Sequence, residues 1–150
     1  MKYIILTVFL ILISVNVQTE EPKKNVMVKI LITGFKNDEG VARVAFFRGK
    51  HGFPNDTEYA YWKGECDIHD NESRLSINNI EYGTYAVSVY HDQNNNGKLD
   101  KKWELIPSEG FGTSNNARKE KEGPRYDLSK FEVNADSISI MVKLEYLFDR

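Results

Sequence analysis

The sequence predicts an all-β fold, an antiparallel β-sandwich of about seven strands with one long polar loop region, and three observations predict it. Apolar and β-branched residues alternate with period two in several short segments. Turn residues separate those segments, and no stretch of the mature chain carries the 3.6-residue periodicity of an amphipathic helix. The length of 150 residues gives room for one domain that can bury a core without disulfides or a structural metal.

The elements follow in chain order. Met1-Lys2-Tyr3 is a short basic start, and Ile4 to Val15 is an apolar run of about a dozen residues, short of the roughly 20 needed to span a bilayer. That pattern predicts a secretory signal peptide over residues 1–19, a short linker over 20–25 and a single domain over 26–147. The Val17-Gln18-Thr19 triplet fits the small-residue cleavage rule only loosely, so the cut is expected between Asn16 and Glu21. The expected location is periplasmic, cell-surface or secreted, with no permanent membrane span. Val26, Val28, Ile30 and Ile32 alternate with Met27, Lys29, Leu31 and Thr33, which predicts a first strand. A second is expected over Val41 to Phe47, and the turn-rich Asn37-Asp38-Glu39-Gly40 between them predicts a hairpin.

Arg48 to Thr57 contains too many Gly, Pro, Asn and Asp residues for regular structure. Gly64 to Ile68 fits a strand, as does the segment carrying Leu75, Ile77 and Ile80. Along Thr84 to His91, Tyr85, Val87, Val89 and His91 share one face, and Ala86, Ser88 and Tyr90 the other. Asp92 to Lys130 is mostly polar, and a loop of that length in a compact domain needs a task or internal ties. Ile138, Ile140, Val142, Leu144 and Tyr146 alternate without a break and predict the last strand.

Composition narrows the function. The formal charge of −2, or −3 once Lys2 leaves with the signal, comes from interspersed acids and bases. No Lys/Arg cluster suited to phosphates is present, so no nucleic-acid partner is expected. Cys66 is the only cysteine, which excludes an internal disulfide. Cys66 and His69 make a C-x-x-H fragment, but residues three apart on a strand face opposite ways, which argues against zinc. The chain has no G-x-S-x-G, P-loop or H-E-x-x-H motif.

One constellation carries a mechanism. His91 to Asp100 contains D-x-N-x-N-G-x-L-D, the spacing of the first nine positions of an EF-hand loop. Asp92, Asn94 and Asn96 would supply side-chain oxygens, Lys98 its carbonyl, and Asp100 a direct or water-mediated ligand, with Gly97 making the turn. Oxygen ligands suit a hard cation such as calcium. Trp103 stands where the bidentate Glu belongs; Glu104, one residue late, is the candidate replacement, with Glu109 the other carboxylate that could serve. With few charged ligands the affinity would be weak, on the order of 10⁻⁴ to 10⁻³ M. A second reading is an Asn-rich turn that binds nothing. His91, at the end of an apolar face, reads as a core-edge histidine before it reads as a ligand or base.

Gly52-Phe53-Pro54, Gly83 to Asp92, Asn94 to Asp100 and Glu109 to Arg118 together resemble the DUF2141 family of exported bacterial proteins, over roughly Val26 to Tyr146. The resemblance implies a prealbumin-like or immunoglobulin-like sandwich in the bacterial envelope and confers no activity. Transthyretin-like hydrolases share that architecture, but this chain has no counterpart of their His and Arg set or their C-terminal tetrapeptide. The preferred expectation is a non-catalytic envelope module with a calcium-organised loop. It would present a surface including His91, Ser114, Asn115, Asn116 and Arg118 to a protein or glycan partner. The alternative is a periplasmic hydrolase in which His91, Asp92, Ser114, Asn115 and Arg118 converge at one end of the sandwich. Phe111 to Arg118 is expected to fold back onto the Asp92 to Asp100 loop.

Overall fold

The structure, a computed structural model, describes residues 26–117 and 123–148. The expected signal peptide, the linker and Arg118 lie outside the described residues. In chain order the elements are β1 (Val26–Thr33), β2 (Val41–Phe47), β3 (Trp62–Cys66), β4 (Glu72–Ile80), β5 (Gly83–Asp92), β6 (Lys101–Lys102), β7 (Ile106–Pro107), β8 (Phe111–Thr113), the single turn α1 (Tyr126–Ser129), β9 (Phe131–Val133) and β10 (Ser137–Lys143). One sheet has the order β10-β1-β4. The other has the order β3-β2-β5-β8, with β9 also on β5, and β6-β7 is a separate short hairpin.

The two sheets face each other through the apolar faces that the alternation defines. Val28, Ile30 and Ile32 of β1, Ala42, Val44 and Phe46 of β2, and Tyr85, Val87 and Val89 of β5 are all buried in one core. Burying each large side chain contributes about 1.5–3 kcal/mol, so this cluster drives the assembly.

Two expectations about pairing are corrected. β1 and β2 do not form a hairpin: β1 pairs with β10 and β4, and β2 with β3 and β5. Their apolar faces stack across the core, and the connection crosses between sheets through Gly34 and Gly40, both at positive φ. The sandwich is also not wholly antiparallel, because β1 runs parallel to β10. A parallel pair needs a long crossover, and here almost the whole domain supplies it.

β4 shows how local geometry corrects simple alternation. Ile77 and Ile80 are three apart yet both buried, which a regular strand forbids. A register shift against β1 between Val26 and Val28 inserts an extra residue, and Asn79 at φ 61° accommodates the bulge.

The outer face of the five-stranded sheet is partly covered. Phe53 of the Gly52-Phe53-Pro54 motif lies edge-on to Phe47 at 5.4 Å and Tyr126 at 5.8 Å. Ser88 donates to the Pro54 carbonyl at 2.9 Å. Beyond that cover, the face around Arg43 and Tyr90 is left open. β5 holds two short partners on one edge, β9 at Gly83–Tyr85 and β8 at Ser88–Tyr90. That arrangement leaves the Val87 N–H between them without a strand partner.

Candidate functional site

The Asp92–Asp100 loop is an ordered network built on Asp92. Its side chain points to the outer face of β5 but has no exposure, because the loop closes over it. Oδ1 accepts the Asn96 N–H at 3.0 Å, and Oδ2 accepts the Gly97 N–H at 2.9 Å and Arg43 Nε at 2.5 Å. Asn94 and Asn96 form successive side-chain turns, accepting the Asn96 and Lys98 N–H groups. Their amide groups donate to the two oxygens of Asp100 at 2.8 and 2.9 Å. Gly97 sits at φ 76°, as expected of the turn residue.

Glu109 closes the loop from behind. It is 6% exposed, and its two oxygens accept the Gln93 and Asp100 N–H groups, each at 2.9 Å. The two buried carboxylates differ in electrostatic state. Burial alone would raise the Asp92 pKa, but the Arg43 hydrogen bond and the Gly97 and Asn96 N–H groups overcome it and hold the carboxyl below the usual range. For Glu109 burial wins over its two N–H donors, and the nearby Asp100 and Asp92 charges add to it, so its pKa is raised.

Calcium needs six to eight oxygen ligands. Asn94, Asn96 and Asp100 meet at one point, and the Lys98 carbonyl belongs to the same turn. The two asparagines, however, turn their amide nitrogens toward Asp100 and their oxygens to backbone N–H groups, so an all-oxygen set for a hard cation would form there only with both amides rotated. Asp92 is committed to Arg43 and two backbone donors and positions the loop. Glu104 lies elsewhere: Trp103 and Glu104, at φ 52° and 61°, form the tip of the β6–β7 hairpin, closed by Leu105 N–H to Lys102 O at 3.3 Å. The hairpin carries Glu104 away, and Glu109 reaches the loop instead. Among the described residues there is no cluster of three or more His, Cys, Asp or Glu side chains suited to a metal.

The remaining residues picked out from sequence are structural ties. His91 is fully buried, with Nε2 2.6 Å from the Glu39 carbonyl and Nδ1 2.6 Å from the Tyr146 hydroxyl. A carbonyl only accepts, so Nε2 carries the hydrogen; in the neutral ring Nδ1 then accepts from Tyr146, whose oxygen in turn accepts the Lys36 N–H. Ser114 fills the gap between β8 and β9: its Oγ accepts the Val87 N–H at 2.9 Å and donates to the Ser129 carbonyl at 2.5 Å. Asn115, at φ 61°, donates to the Leu128 and Lys130 carbonyls, and Asn116 accepts the Lys143 N–H.

Ser114 therefore sits beside Val87, four residues along β5 from His91, or about 13 Å at the strand rise. The two do not meet, and the Ser114 hydroxyl is spent on the Val87 N–H and the Ser129 carbonyl. The hydrogen bonds to the loop come from Ser108 and Glu109, which precede the Phe111 to Arg118 segment expected to make them. Asn115 and Asn116 satisfy backbone groups as expected, but of α1 and β10. The Cys66 thiol, with its pKa raised by burial, lies 2.9 Å from Ser73 Oγ.

What sequence reasoning missed is a groove of about 1220 Å³ on the outer face of the five-stranded sheet. Arg43, Ser88 and Tyr90 lie on its floor with Lys63 and Glu65 of β3, and Pro54, Asn55 and Thr57 also line it. The remaining lining includes Gly97 to Leu99, so the loop and the groove share a wall. Alternation did place Arg43, Ser88 and Tyr90 on non-core faces, but only sheet pairing brings them together.

A sequence profile of the DUF2141 family, described as uncharacterized proteins conserved in bacteria, matches residues 30–141. No curated protein matches the chain. Among solved structures, a fimbrial assembly protein from Parabacteroides distasonis is similar at 13% identity and a TM-score of 0.41. The match covers 85% of this chain and 54% of that one, so this chain spans about half the length of that protein.

Proposed function

The chain belongs to the DUF2141 family, and from that premise we propose that it is an exported, non-catalytic envelope module that binds a partner in the groove on its five-stranded sheet. The observation that carries this reading is the groove itself, about 1220 Å³ of open, concave surface. That is at or above the upper range of small-molecule sites, roughly 300–1,000 Å³, and suits an extended partner. The polar groups named for hydrolysis support the same reading, since His91, Asp92 and Ser114 are all buried and spent on hydrogen bonds. No helix of the described residues is long and apolar enough to cross a membrane. Sequencing the exported protein should find its first residue between Asn16 and Glu21.

In this reading calcium is held by Asn94, Asn96, the Lys98 carbonyl and Asp100, with Asp92 and Glu109 fixing the loop around it. The ion would supply the positive charge that the amide N–H groups now present to Asp100, with the Asn94 and Asn96 side chains rotated so that their oxygens face it. Its role is structural, stiffening one wall of the groove. With a dissociation constant near 0.1 mM, about 1 mM calcium stabilises the fold by RT ln(11), roughly 1.4 kcal/mol. Differential scanning fluorimetry in calcium and in chelator should show a rise of a few degrees, smaller in magnesium and absent in Asp100→Ala. Identical melting in all conditions removes calcium from the proposal. The binding reading is tested separately, by titrating peptides and oligosaccharides of differing charge while following backbone amide resonances. Shifts should gather on Val44, Lys63, Tyr90 and Gly112. Shifts gathered elsewhere, or none with any probe, would refute it.

A further inference from the structure

Five charged side chains line the groove: Arg43, Lys63, Glu65, Lys98 and Lys101. Arg43 is consumed internally, by buried Asp92 at 2.5 Å and by Glu65 at 2.8 Å. Lys63, Lys98 and Lys101 are exposed, and none of their ammonium groups has a hydrogen-bond or ion-pair partner among the described residues. Among the described residues the four basic side chains of the lining face two acids, Glu65 and the buried Asp92, which leaves a net charge of +2 on a chain whose formal charge is −2. A concave surface of one sign concentrates ligands of the other sign and speeds their encounter.

The apolar part of the lining defines the ligand further. Leu99, Leu105, Ile106, Pro107, Phe111 and Leu147 contribute to it, and Leu105 is 81% exposed. Aliphatic side chains held open to water beside ammonium groups match a ligand that alternates apolar groups with acids. A simple anion would leave this surface without a complement. An anionic glycan would find Tyr90 and Phe111 to stack on but little use for the leucines. Strand β3, which supplies Lys63 and Glu65, pairs only with β2 among the described residues and forms an edge of its sheet. Its free main-chain groups can meet a peptide backbone.

We propose that the groove takes an acidic, partly apolar peptide segment; this rests on the binding-module reading and gives that module its ligand class. The test uses three probes with the exported chain: a labelled peptide alternating Glu and Leu, its Lys–Leu counterpart, and oligogalacturonate. Fluorescence anisotropy should show saturable binding of the Glu–Leu peptide, weakening as salt is raised. The combined charge reversal Lys63→Glu, Lys98→Glu and Lys101→Glu should weaken it about tenfold, the sum of three exposed ion pairs. The control Lys29→Glu, Lys50→Glu and Lys130→Glu makes the same change of net charge away from the groove and should leave binding nearly unchanged. If the reversal variant fails to fold by its melting curve, the triple Lys→Gln variant replaces it, with a smaller loss expected.

Equal losses in both triples would reduce the effect to net charge and overturn the inference. If the Lys–Leu peptide or only oligogalacturonate shifts the groove amides, the module reading stands and the acidic-peptide inference falls. Silence from all three probes refutes both.

Discussion

Asp92→Asn is the most informative single change, because it preserves shape and removes only charge and one acceptor. In the folded chain the Asp92 carboxylate serves three donors, Arg43 and the backbone N–H groups of Asn96 and Gly97. The Asn oxygen can serve one backbone donor, and its amide hydrogens then oppose the other, which costs about 1–3 kcal/mol. Arg43 also loses its shorter ion pair and keeps Glu65. Arg43 is 31% exposed, so solvent screening holds that loss to about 1 kcal/mol. Relief of desolvation acts the other way, since burial is the largest single influence on this group. The net expectation is a loss of about 2–4 kcal/mol at pH 7, a fall in melting temperature of about 6–15 °C. The sign of the pH dependence follows from the depressed pKa. The stabilisation is fully present above the unfolded value of about 3.9 and is lost as pH falls through the lower folded value. Urea unfolding of wild type and variant from pH 7 to pH 3 should show a constant gap that closes below about pH 4. A gap under about 0.5 kcal/mol, or one indifferent to pH, would refute the account of Asp92 as the electrostatic centre of the loop.

Glu109→Gln should show the opposite pH behaviour. The folded pKa of Glu109 is raised, so its contribution is greatest below the unfolded value of about 4.3 and declines as pH rises through the folded one. Wild type should therefore lose ground relative to the variant across that interval, as read by pH-dependent melting. Gly40→Ala should cost about 2 kcal/mol or more: φ is 70°, and an added Cβ would come 2.0 Å from the Asp92 carbonyl oxygen, which is backbone and cannot swing aside. Chemical denaturation measures it, and a neutral result would disprove the close approach of the 34–40 connection to β5. Tyr146→Phe removes the donor to His91 Nδ1 and should destabilise by about 1–2 kcal/mol. Long-range proton–nitrogen NMR of the wild type should find the His91 hydrogen on Nε2, and finding it on Nδ1 would reverse the assigned hydrogen-bond direction.

The candidate site was legible in part. The D-x-N-x-N-G-x-L-D spacing located an ordered loop and its turn glycine, because side-chain turns and a left-handed glycine are local matters fixed within a few residues. Counting along an EF-hand template pointed first to Glu104, with Glu109 as the other candidate. The count failed because β6 and β7 pair immediately after Asp100 and take Glu104 with them, letting Glu109 return from the far strand of that excursion. Ser114, Asn115 and Asn116 looked like surface chemistry because they are polar and clustered. Their partners, Val87, Ser129, Leu128, Lys130 and Lys143, show that the cluster satisfies backbone groups at the junction of β8, β9, α1 and β10.

The sequence by itself determined which residues face the core. Period-two alternation is a property of each strand's own geometry, so Val28, Ile30, Ile32, Val87, Val89 and Val142 could be assigned inward before any partner was known. It also determined the all-β class and the family. Pairing was decided only in three dimensions. Two neighbouring apolar strands can lie side by side or face to face, and the pattern is the same in either case. The choice between a β1–β2 hairpin and the observed crossing rests on total burial across both sheets, to which β10 contributes from the other end of the chain. The Arg43–Asp92 pair and the cationic groove follow from that choice: residues on non-core faces of separate strands become one surface only when register aligns them, and register is set by the core on the opposite side.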